Sequence, residues 1–298
     1  MPTKILLDTD IGTDIDDSVC LAYLLAQPEC ELLGITTATG ESEKRAKMAS
    51  VLCKIAKKDI PIFPGVENPL LIKQRQTHAK QAIRLKNWNH QKNFQKGKAI
   101  EFLKETIHKH PGEITLLTIA PLTNIALLFS TYPEIPSMLK EIVMMGGLFK
   151  SRLPQAVTWD LTEWNIIIDP HAAAIVFNAP VKIRAVGLDV TTQVFMNSQE
   201  VKKRFQGPLL EPVKDFAGIW FEEKETMLFH DPLAATTIFN KDICQFEQTT
   251  IEVELMSEKL LGTTVLNKEG KDKKHWIATS VNKDSFFEHY FSIFNNKK

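Results

Sequence analysis

Five aspartates fall within ten consecutive positions near the start of the chain, directly after an apolar run: Asp8, Asp10, Asp14, Asp16 and Asp17. Carboxylates this close repel one another, and at ~4 Å with an effective dielectric of ~20 each pair is unfavourable by roughly 4 kcal/mol. No lysine or arginine lies between Lys4 and Glu43 to compensate for this charge. A divalent cation is the most economical explanation, and oxygen ligands alone favour a hard ion, calcium or magnesium.

Two alternative explanations of the aspartates can be tested by spacing. Asp16 and Asp17 could cap the helix that follows them, because aspartate is a preferred N-cap residue and its charge suits a helix N-terminus. Capping accounts for one of the carboxylates but not for all five. An EF-hand loop beginning at Asp8 requires glycine at its sixth position and glutamate at its twelfth, where this sequence has Thr13 and Val19. The EF-hand is therefore excluded.

A phosphatase of the haloacid dehalogenase type also begins with a strand followed by Asp-x-Asp, which Asp8-Thr9-Asp10 satisfies. That type usually has threonine or valine two residues after the second aspartate, and Gly12 stands there. A magnesium-dependent phosphatase, with Asp8 as its nucleophile, remains an alternative.

The elements that carry the aspartates alternate between short apolar runs and longer helical patterns. We predict strands at residues 4–7, 32–37, 114–119, 141–145 and 181–186, and helices at residues 18–27, 43–58, 123–130 and 170–178. Continuous apolar strands between helices are typical of a parallel sheet covered on both faces. We therefore predict an α/β fold, an open, mostly parallel, doubly wound (Rossmann-like) sheet, with the aspartates at a carboxyl end where such sheets bind ligands.

The pattern changes in the last third of the chain, where we predict a small C-terminal α+β extension. Helical stretches are expected at residues 198–205 and 210–224 and from about residue 231, followed by strands at 249–255 and 275–281 and a helix at 285–294. Residues 68–98 are rich in Gln, Lys, Asn and His and are expected to form a long surface excursion. Because no Gly/Ser-rich linker is present, we predict a single domain over residues 1–298.

Composition excludes several classes of partner. The 298 residues include 36 basic and 36 acidic side chains, so the charge gives no reason to expect nucleic acid or an anionic membrane as a partner. No apolar run approaches the ~18 residues of a membrane-spanning helix. Four cysteines without a C-x-x-C pair and an N-terminus without signal-peptide features lead us to expect a reducing, cytoplasmic compartment.

Several further segments, read together with the aspartates, are similar to the motifs of one family. They are Ile119-Ala120-Pro121-Leu122-Thr123-Asn124, Met144-Met145-Gly146-Gly147, Glu163-Trp164-Asn165 with Asp169-Pro170, and His230-Asp231-Pro232. The chain resembles the nucleoside hydrolases of the inosine-uridine-preferring type, whose N-terminal signature is Asp-x-Asp-Pro-Gly-x-Asp-Asp. Here Ile11 replaces the proline, and two extra residues precede Asp16-Asp17.

The resemblance implies hydrolysis of the N-glycosidic bond of a ribonucleoside, with one bound Ca²⁺. By position in the motifs, Asp10, Asp17, Asp231 and the backbone carbonyl of Ile119 would bind the ion, and water and the ribose 2′- and 3′-hydroxyls would complete its coordination. Asp10 would also be the general base toward the calcium-bound water. The chemistry is sound in general terms, because a cation lowers the pKa of bound water and an adjacent carboxylate can then remove its proton.

The same motifs imply which residues hold the sugar. Glu163 and Asn165 would bind ribose hydroxyls, and Trp164, which replaces a phenylalanine of the family, could form a wall against the sugar. The second signature aspartate would also reach the ribose. The two-residue insertion leaves open whether Asp14 or Asp16 takes this inner role.

Two histidines and two departures from the family complete the expected site. His230 could donate a proton to the departing base or hydrogen-bond the substrate, and His78 lies roughly where the family has another active-site histidine. Glu41 stands where an asparagine usually contacts the site, and Val157 stands where an asparagine often reaches the 5′-hydroxyl. Because of these departures, the sequence does not decide whether the substrate is a purine nucleoside, a pyrimidine nucleoside or a nucleoside with a modified ribose.

The partners implied are a small nucleoside and a second copy of the chain, as homodimer or homotetramer, in a role in purine or pyrimidine salvage. A different class of function also stays open. The chain could be a calcium-dependent nucleoside-binding protein without catalysis, which Glu41 and Val157 would favour.

Overall fold

One large sheet organises the molecule. The computed structural model describes residues 1–149, 162–267 and 274–295. Within these ranges nine strands form one sheet and two more form a short separate ribbon. The strands are β1 (Thr3–Thr9), β2 (Cys30–Thr37), β3 (Ile62–Pro64), β4 (Ile114–Ile119), β5 (Glu141–Met145), β6 (Ile183–Val186), β7 (Phe195–Asn197), β8 (Thr226–Leu228), β9 (Cys244–Val253), β10 (Thr264–Asn267) and β11 (His275–Val281).

Helices fill the connections between the strands. They are α1 (Asp16–Ala26), α2 (Ser42–Ile55), α3 (Ala99–Lys109), α4 (Thr123–Thr131), α5 (Ile135–Met138), α6 (Trp164–Ile168), α7 (Pro170–Asn178), α8 (Leu188–Thr191), α9 (Ser198–Arg204), α10 (Leu210–Trp220), α11 (His230–Phe239) and α12 (Lys283–Asn295), with a 3₁₀ helix at Lys80–Asn87. Among the described residues, none of these helices has the length and apolar character needed to cross a membrane.

The strand order of the sheet creates a ligand-binding crevice. It runs β10-β9-β11-β6-β5-β4-β1-β2-β3, and β1 pairs in parallel with both β2 and β4. The chain first adds β2 and β3 on one side of β1 and then adds β4, β5 and β6 on the other. Open α/β sheets bind ligands at such a reversal, beyond the carboxyl ends of the strands. Asp8 and the loop after Thr9 lie there.

Both faces of the sheet are buried, as the apolar strands predicted. Ile5 and Leu7 of β1 pack in one hydrophobic cluster with α1, α2, α10 and α11, whereas Leu6 packs in a second cluster with α3, α4 and α7. Successive side chains of a strand point to opposite faces, so alternate residues require an apolar layer on each side. The prediction of a mostly parallel, doubly wound α/β sheet is confirmed.

The C-terminal extension continues the same sheet. β11 pairs in parallel with β6 and antiparallel with β9, and β10 pairs antiparallel with β9. The predicted strand at residues 275–281 is correct, but β9 begins five residues before the predicted start at residue 249, and the sequence pattern missed β10. β9 alternates buried and exposed residues unevenly, because it lies between β10 and β11 near the edge of the sheet, and this weakens its apolar signal.

The predicted surface excursion at residues 68–98 is only partly irregular. It contains the 3₁₀ helix, where Gln81 is fully buried, and it ends at the unpredicted helix α3. This segment contacts the loop between β1 and α1 through a hydrogen bond from Gln81 N to Gly12 O at 3.0 Å. Its polar composition therefore reflects contacts with the functional region rather than simple exposure.

His275 makes the fold sensitive to acid. It is fully buried; Nδ1 accepts a hydrogen bond from Ile251 N at 2.7 Å and Nε2 donates to Phe177 O at 2.9 Å, and burial lowers its pKa to about 4. Since the unfolded histidine titrates near 6.5, the stability that this residue contributes is complete above that pH and is lost as the pH falls toward 4. Between pH 7 and 5 the loss should be about 2 kcal/mol.

This prediction can be measured by urea unfolding at pH 7 and pH 5. His275→Asn, which retains an acceptor close to the position of Nδ1, should show a smaller pH dependence than the parent chain. His108→Asn makes the same change at an exposed position and should alter the free energy of unfolding at pH 7 by no more than about 0.5 kcal/mol. An equal pH dependence in His275→Asn and the parent would show that another group is responsible.

Candidate active site

Three buried aspartates converge at the carboxyl end of β1. Asp16 and Asp17 lie in the first turn of α1, and Asp231 lies in the first turn of α11. Carboxylate oxygens of the three residues are all within 4.8 Å of one another. Helix α11 is distant in sequence but packs against α1, and this contact brings Asp231 to the signature segment, as the motifs implied.

Hydrogen bonds fix the orientation of this cluster. Asp17 Oδ1 accepts from Thr9 Oγ1 at 2.5 Å and from Asp10 N at 3.2 Å. Asp16 Oδ2 accepts from the backbone N–H of Asp231 at 3.2 Å. Neither carboxylate caps α1, whose N-cap residue is Ile15 and has no side-chain capping bond. The capping alternative is therefore wrong, and both side chains are directed into the cluster.

Asp10 lies next to the cluster and is held from its other side. Its backbone N–H binds Asp17, while its own Oδ2 accepts from Gln76 Nε2 at 2.5 Å. The side chain of Asp10 is 6% exposed, so it retains a small opening to solvent. Ile119, the fourth expected ligand, ends β4 directly opposite Thr9 of β1. All the expected metal-binding residues are therefore at the ends of β1 and β4 or in the first turns of α1 and α11.

Asp14 and Asp16 differ in their surroundings. Asp16 is buried in the cluster, whereas Asp14 is less enclosed and its Oδ1 accepts from the following backbone N–H, Ile15 N, at 2.6 Å. Burial, opposed by that hydrogen bond, raises the pKa of Asp14 to about 6. The geometry thus favours Asp16 for the inner position.

The electrostatics of the site require positive charge. Burial, and then repulsion among the carboxylates, raises the pKa of Asp16, Asp17 and Asp231 well above the usual range. Burial also raises the pKa of Asp10, against the attraction of Arg45. One guanidinium cannot neutralise four carboxylates, so the cluster has the charge and the oxygen donors that suit a hard divalent cation.

Arg45 corrects the expectation that no basic residue compensates for the aspartates. It is fully buried in α2, which follows β2, and it donates to the backbone carbonyls of Asp10 and Ile11 and to Thr13 Oγ1 at 3.0 Å. A search for basic residues close in sequence to the aspartates did not find Arg45. The residue reaches the loop between β1 and α1 only because α2 folds back over that loop. Since its hydrogen bonds go to carbonyl and hydroxyl oxygens, the carboxylate oxygens remain available to an ion.

Asp8 is enclosed in the fold and serves to hold neighbouring segments together. It is fully buried, its Oδ1 accepts from Thr36 Oγ1 at 2.5 Å and from Asn124 Nδ2 at 2.8 Å, and burial raises its pKa to about 7. A phosphatase nucleophile must reach its substrate, and Asp8 presents no surface to one. Asn124 in turn accepts from Val66 N at 2.9 Å, so these residues join β1 to neighbouring loops.

Glu163 and Asn165 begin a short helix beside the site. Glu163 is the N-cap of α6 and accepts from the backbone N–H groups of Asn165, Ile166 and Gly147. Burial, against these bonds, raises its pKa to about 7. Asn165 Nδ2 donates to Met145 O at 3.1 Å at the end of β5. Both side chains thus stabilise the local backbone, and a carboxylate has further lone pairs for a ligand.

Glu41 and His78 face each other at the rim of the site. Glu41 has a left-handed backbone (φ 63°), and its carboxylate accepts from Lys44 Nζ at 2.5 Å and from Ala79 N at 2.9 Å. These bonds hold the pKa of Glu41 below its usual range, although burial opposes them. His78 Nδ1 is 3.6 Å from Glu41, and its side chain is 75% exposed. Glu41 therefore joins the start of α2 to the 76–79 segment.

His230 and Trp164 flank the cluster. His230, adjacent to Asp231, shares a hydrogen bond of 2.7 Å between its Nδ1 and Thr191 Oγ1, and burial lowers its pKa to about 4. Trp164 is 51% exposed, and its indole Nε1 donates to Gln76 Oε1 at 2.5 Å.

Gln76 was not predicted as a site residue from the sequence. Its place two residues before His78 was the one signal available for it. Val157 lies outside the described residues.

The chain is similar to known proteins along nearly its whole length. Residues 5–288 match the family model for inosine-uridine preferring nucleoside hydrolase. The inosine-uridine preferring nucleoside hydrolase of Leishmania major is 30% identical over 306 residues, covering 96% of each protein. Uridine nucleosidase 1 of Arabidopsis thaliana is 30% identical over 276 residues, covering 84% of this chain and 78% of that protein. The solved structure of a purine-preferring ribonucleoside hydrolase from Gardnerella vaginalis superposes with a TM-score of 0.82 at 21% identity, over 98% of both chains, which supports the fold.

Proposed function

The chain belongs to the inosine-uridine preferring nucleoside hydrolase family, and from this premise we propose that it hydrolyses the N-glycosidic bond of a ribonucleoside to free base and ribose. The observation that carries the proposal is the buried cluster of Asp16, Asp17 and Asp231, at the switch point of the sheet and beside Asp10. Nothing in the packing of the fold requires four buried carboxylates at one place, since each is costly to bury without a counter-charge.

We propose Ca²⁺ as the ion, held by Asp10, Asp17, Asp231 and the carbonyl of Ile119. The available donors are oxygens alone, which suits a hard ion, and calcium accepts several such ligands in a flexible geometry. The carboxylates of Asp16, Asp17 and Asp231, which lie close together beside Asp10, support a site for such an ion. When bound, the ion supplies Lewis acidity that lowers the pKa of a coordinated water.

Asp10 is assigned as the general base. Gln76 occupies its Oδ2, so Oδ1 is the atom assigned to accept the proton of the attacking water. The water's oxygen forms a bond to C1′ while the bond from C1′ to the base nitrogen breaks. The electron pair of that bond leaves with the base, which takes up a proton from solvent, and Asp10 returns its proton to solvent, so that the products are ribose and neutral base. The anionic cluster stabilises the positive charge that develops on the ribosyl ring at this stage.

The remaining residues are assigned to the two halves of the substrate. Asp16, Glu163 and Asn165 bind ribose hydroxyls, and Trp164 forms a wall against the sugar. His230 contacts the departing base from the first turn of α11. Asp14, Glu41 and His78 line the rim where the substrate enters. The exposure of Trp164 and His78 supports their contact with a small molecule.

The direct test is base release from a panel of purine, pyrimidine and modified ribonucleosides in the presence of calcium. We expect stoichiometric free base and ribose from at least one of them. Calcium-dependent nucleoside binding in calorimetry, with no base released over hours, would instead favour a binding protein. Magnesium-dependent release of phosphate from an ester would favour the phosphatase, against which the enclosed position of Asp8 argues.

We further propose that the protein works in the cytoplasm, in purine or pyrimidine salvage, as a homodimer or homotetramer. The four cysteines are free and buried, which is compatible with a reducing compartment. Light scattering coupled to size-exclusion chromatography measures the oligomeric state, and a monomeric mass would contradict that part of the proposal.

A further inference from the structure

The side chain of Gln76 contacts two residues of the candidate site at once. Its Nε2 donates to Asp10 Oδ2 at 2.5 Å and to Thr13 Oγ1 at 3.0 Å, and its Oε1 accepts from Trp164 Nε1 at 2.5 Å. Gln76 is only 4% exposed. The bond to Asp10 is buried, so losing it would leave a buried polar group without a partner, whereas the bonds to Thr13 and Trp164 are only partly shielded from water.

The chemistry of the two partners fixes the orientation of the amide. An ionised carboxylate only accepts hydrogen bonds, and an indole N–H only donates them. A reversed amide would set its oxygen against Asp10 and its NH₂ group against the Trp164 N–H, with both contacts repulsive. Gln76 is thus held in one orientation, and it holds Asp10 and Trp164 in turn.

The backbone of Gln76 is anchored independently of this side chain. Gly40 N donates to Gln76 O at 3.1 Å, and Gln76 N donates to Gln74 Oε1 at 2.7 Å. A Cβ atom on Gly40 would lie 2.5 Å from Thr77 O and 2.7 Å from Gln76 O, so only glycine allows this approach. The bond from Ala79 N to Glu41 fixes the segment again three residues later. The backbone therefore fixes the position from which the Gln76 amide extends toward the site, and it does so before any ligand binds.

We propose that Gln76 is a positioning residue that fixes both the carboxylate of Asp10 and the ring of Trp164. Its bond to Asp10 Oδ2 orients the carboxylate that we assign both as a ligand of the ion and as the general base. Asp10 Oδ1 is then left for the ion and the water. Through Trp164, Gln76 holds the wall against the sugar. This inference rests on the proposed function and extends it, because it names the residue that couples the reacting centre to substrate binding. Partners of this kind, outside the ligands themselves, typically change metal affinity or activity by ~10–100-fold.

The test separates the two contacts by kinetics. Gln76→Met removes both polar ends at similar length and should lower kcat by ~10–100-fold and raise KM by ~3–10-fold. Trp164→Phe removes the indole N–H contact and part of the ring but leaves Asp10 bound to Gln76, so it should raise KM and lower kcat less than Gln76→Met does. In the double variant the rise in KM should be smaller than the product of the two single effects, because both single variants lose the same hydrogen bond.

Two measurements test the same role without turnover. Calorimetric titration with calcium should give a dissociation constant ~10-fold or more higher for Gln76→Met, because Asp10 is no longer held in place. The emission of Trp164, obtained by subtracting the spectrum of the matching Trp164→Phe variant, should shift to the red in Gln76→Met, because the half-exposed indole loses the hydrogen bond that holds it and becomes more accessible to water.

A matched control is available in Gln81, which is also fully buried and donates to Thr13 O at 3.2 Å. Gln81→Met should lower the unfolding temperature yet keep kcat, KM and calcium affinity close to those of the parent. If Gln76→Met does not fold, Gln76→Asn, whose amide is one methylene too short to span both partners, should show the same loss of kcat.

The outcomes distinguish this inference from the proposed function. A folded Gln76 variant with the parent's kcat, KM and calcium affinity overturns the positioning role, although base release by the parent chain would still uphold the hydrolase. If the parent releases no base from any nucleoside, the proposed function is wrong. In that case, weaker calcium binding and a shifted Trp164 emission in Gln76→Met still support the positioning role, and unchanged values reject it.

Discussion

Asp10→Asn should lower kcat for base release by ~10²–10⁴-fold, the usual contribution of a general base. Asparagine has nearly the same shape, and its Oδ1 can still accept from Gln76 Nε2, so the loop should keep its conformation. The variant also removes one charge from a cluster in which Asp10 raises the pKa of Asp17 and Asp231. The unfolding temperature without calcium should therefore be equal to or higher than that of the parent. Steady-state kinetics and circular dichroism measure both effects.

Asp215→Asn is the matched control for this change. Asp215 lies on α10, where it accepts from Asn87 Nδ2 and Trp88 Nε1, and the same carboxylate-to-amide change there should not alter kcat. Turnover by Asp10→Asn at the parent's rate would show that another group removes the proton. A loss of turnover equal in both variants would show a general effect on the fold.

Much of the fold could be predicted because the composition of each long strand and helix is enough to identify that element. β4 and β5 have the predicted bounds, residues 114–119 and 141–145, because every residue in them is buried and most of them are apolar. β3 was missed because it contributes only three residues, Ile62–Pro64, next to a proline. An element this short takes its conformation from pairing with β2 rather than from its own composition.

Motif spacing could predict which side chains lie together only where they follow a strand or begin a helix. Asp17 and Asp231 were predicted as metal ligands in this way, and both lie in the first turns of helices with their carboxylates close together. Their role as ligands stays a prediction. Gln76 and Arg45 were not found, because their contacts with Asp10 depend on how α2 and the 76–79 segment fold back over the loop after β1. No periodicity or spacing in the sequence encodes such a contact.

Removal of calcium should abolish base release and lower the unfolding temperature. An ion that binds only the native state, present at about 100 times its dissociation constant, stabilises it by about 2.7 kcal/mol, which for a chain of this size corresponds to roughly 4 °C. The pKa values of the cluster carboxylates are raised by folding. Their contribution to the stability of the calcium-free protein is therefore complete only at low pH and is lost as the pH rises through the folded pKa values.

The gain in unfolding temperature on adding calcium should therefore be larger at pH 8 than at pH 5.5, where protons compete with the ion for the same oxygens. Differential scanning calorimetry with a chelator, and then with excess calcium, measures this difference. Asp231→Asn removes one expected ligand charge and should reduce the calcium-induced gain at pH 8, while raising the stability of the calcium-free protein because the carboxylate that Asp16 and Asp17 repel is no longer present. Asp215→Asn should retain the full gain. If calcium stabilises Asp231→Asn as strongly as the parent, the ion binds elsewhere, and the cluster at the end of β1 is not its site.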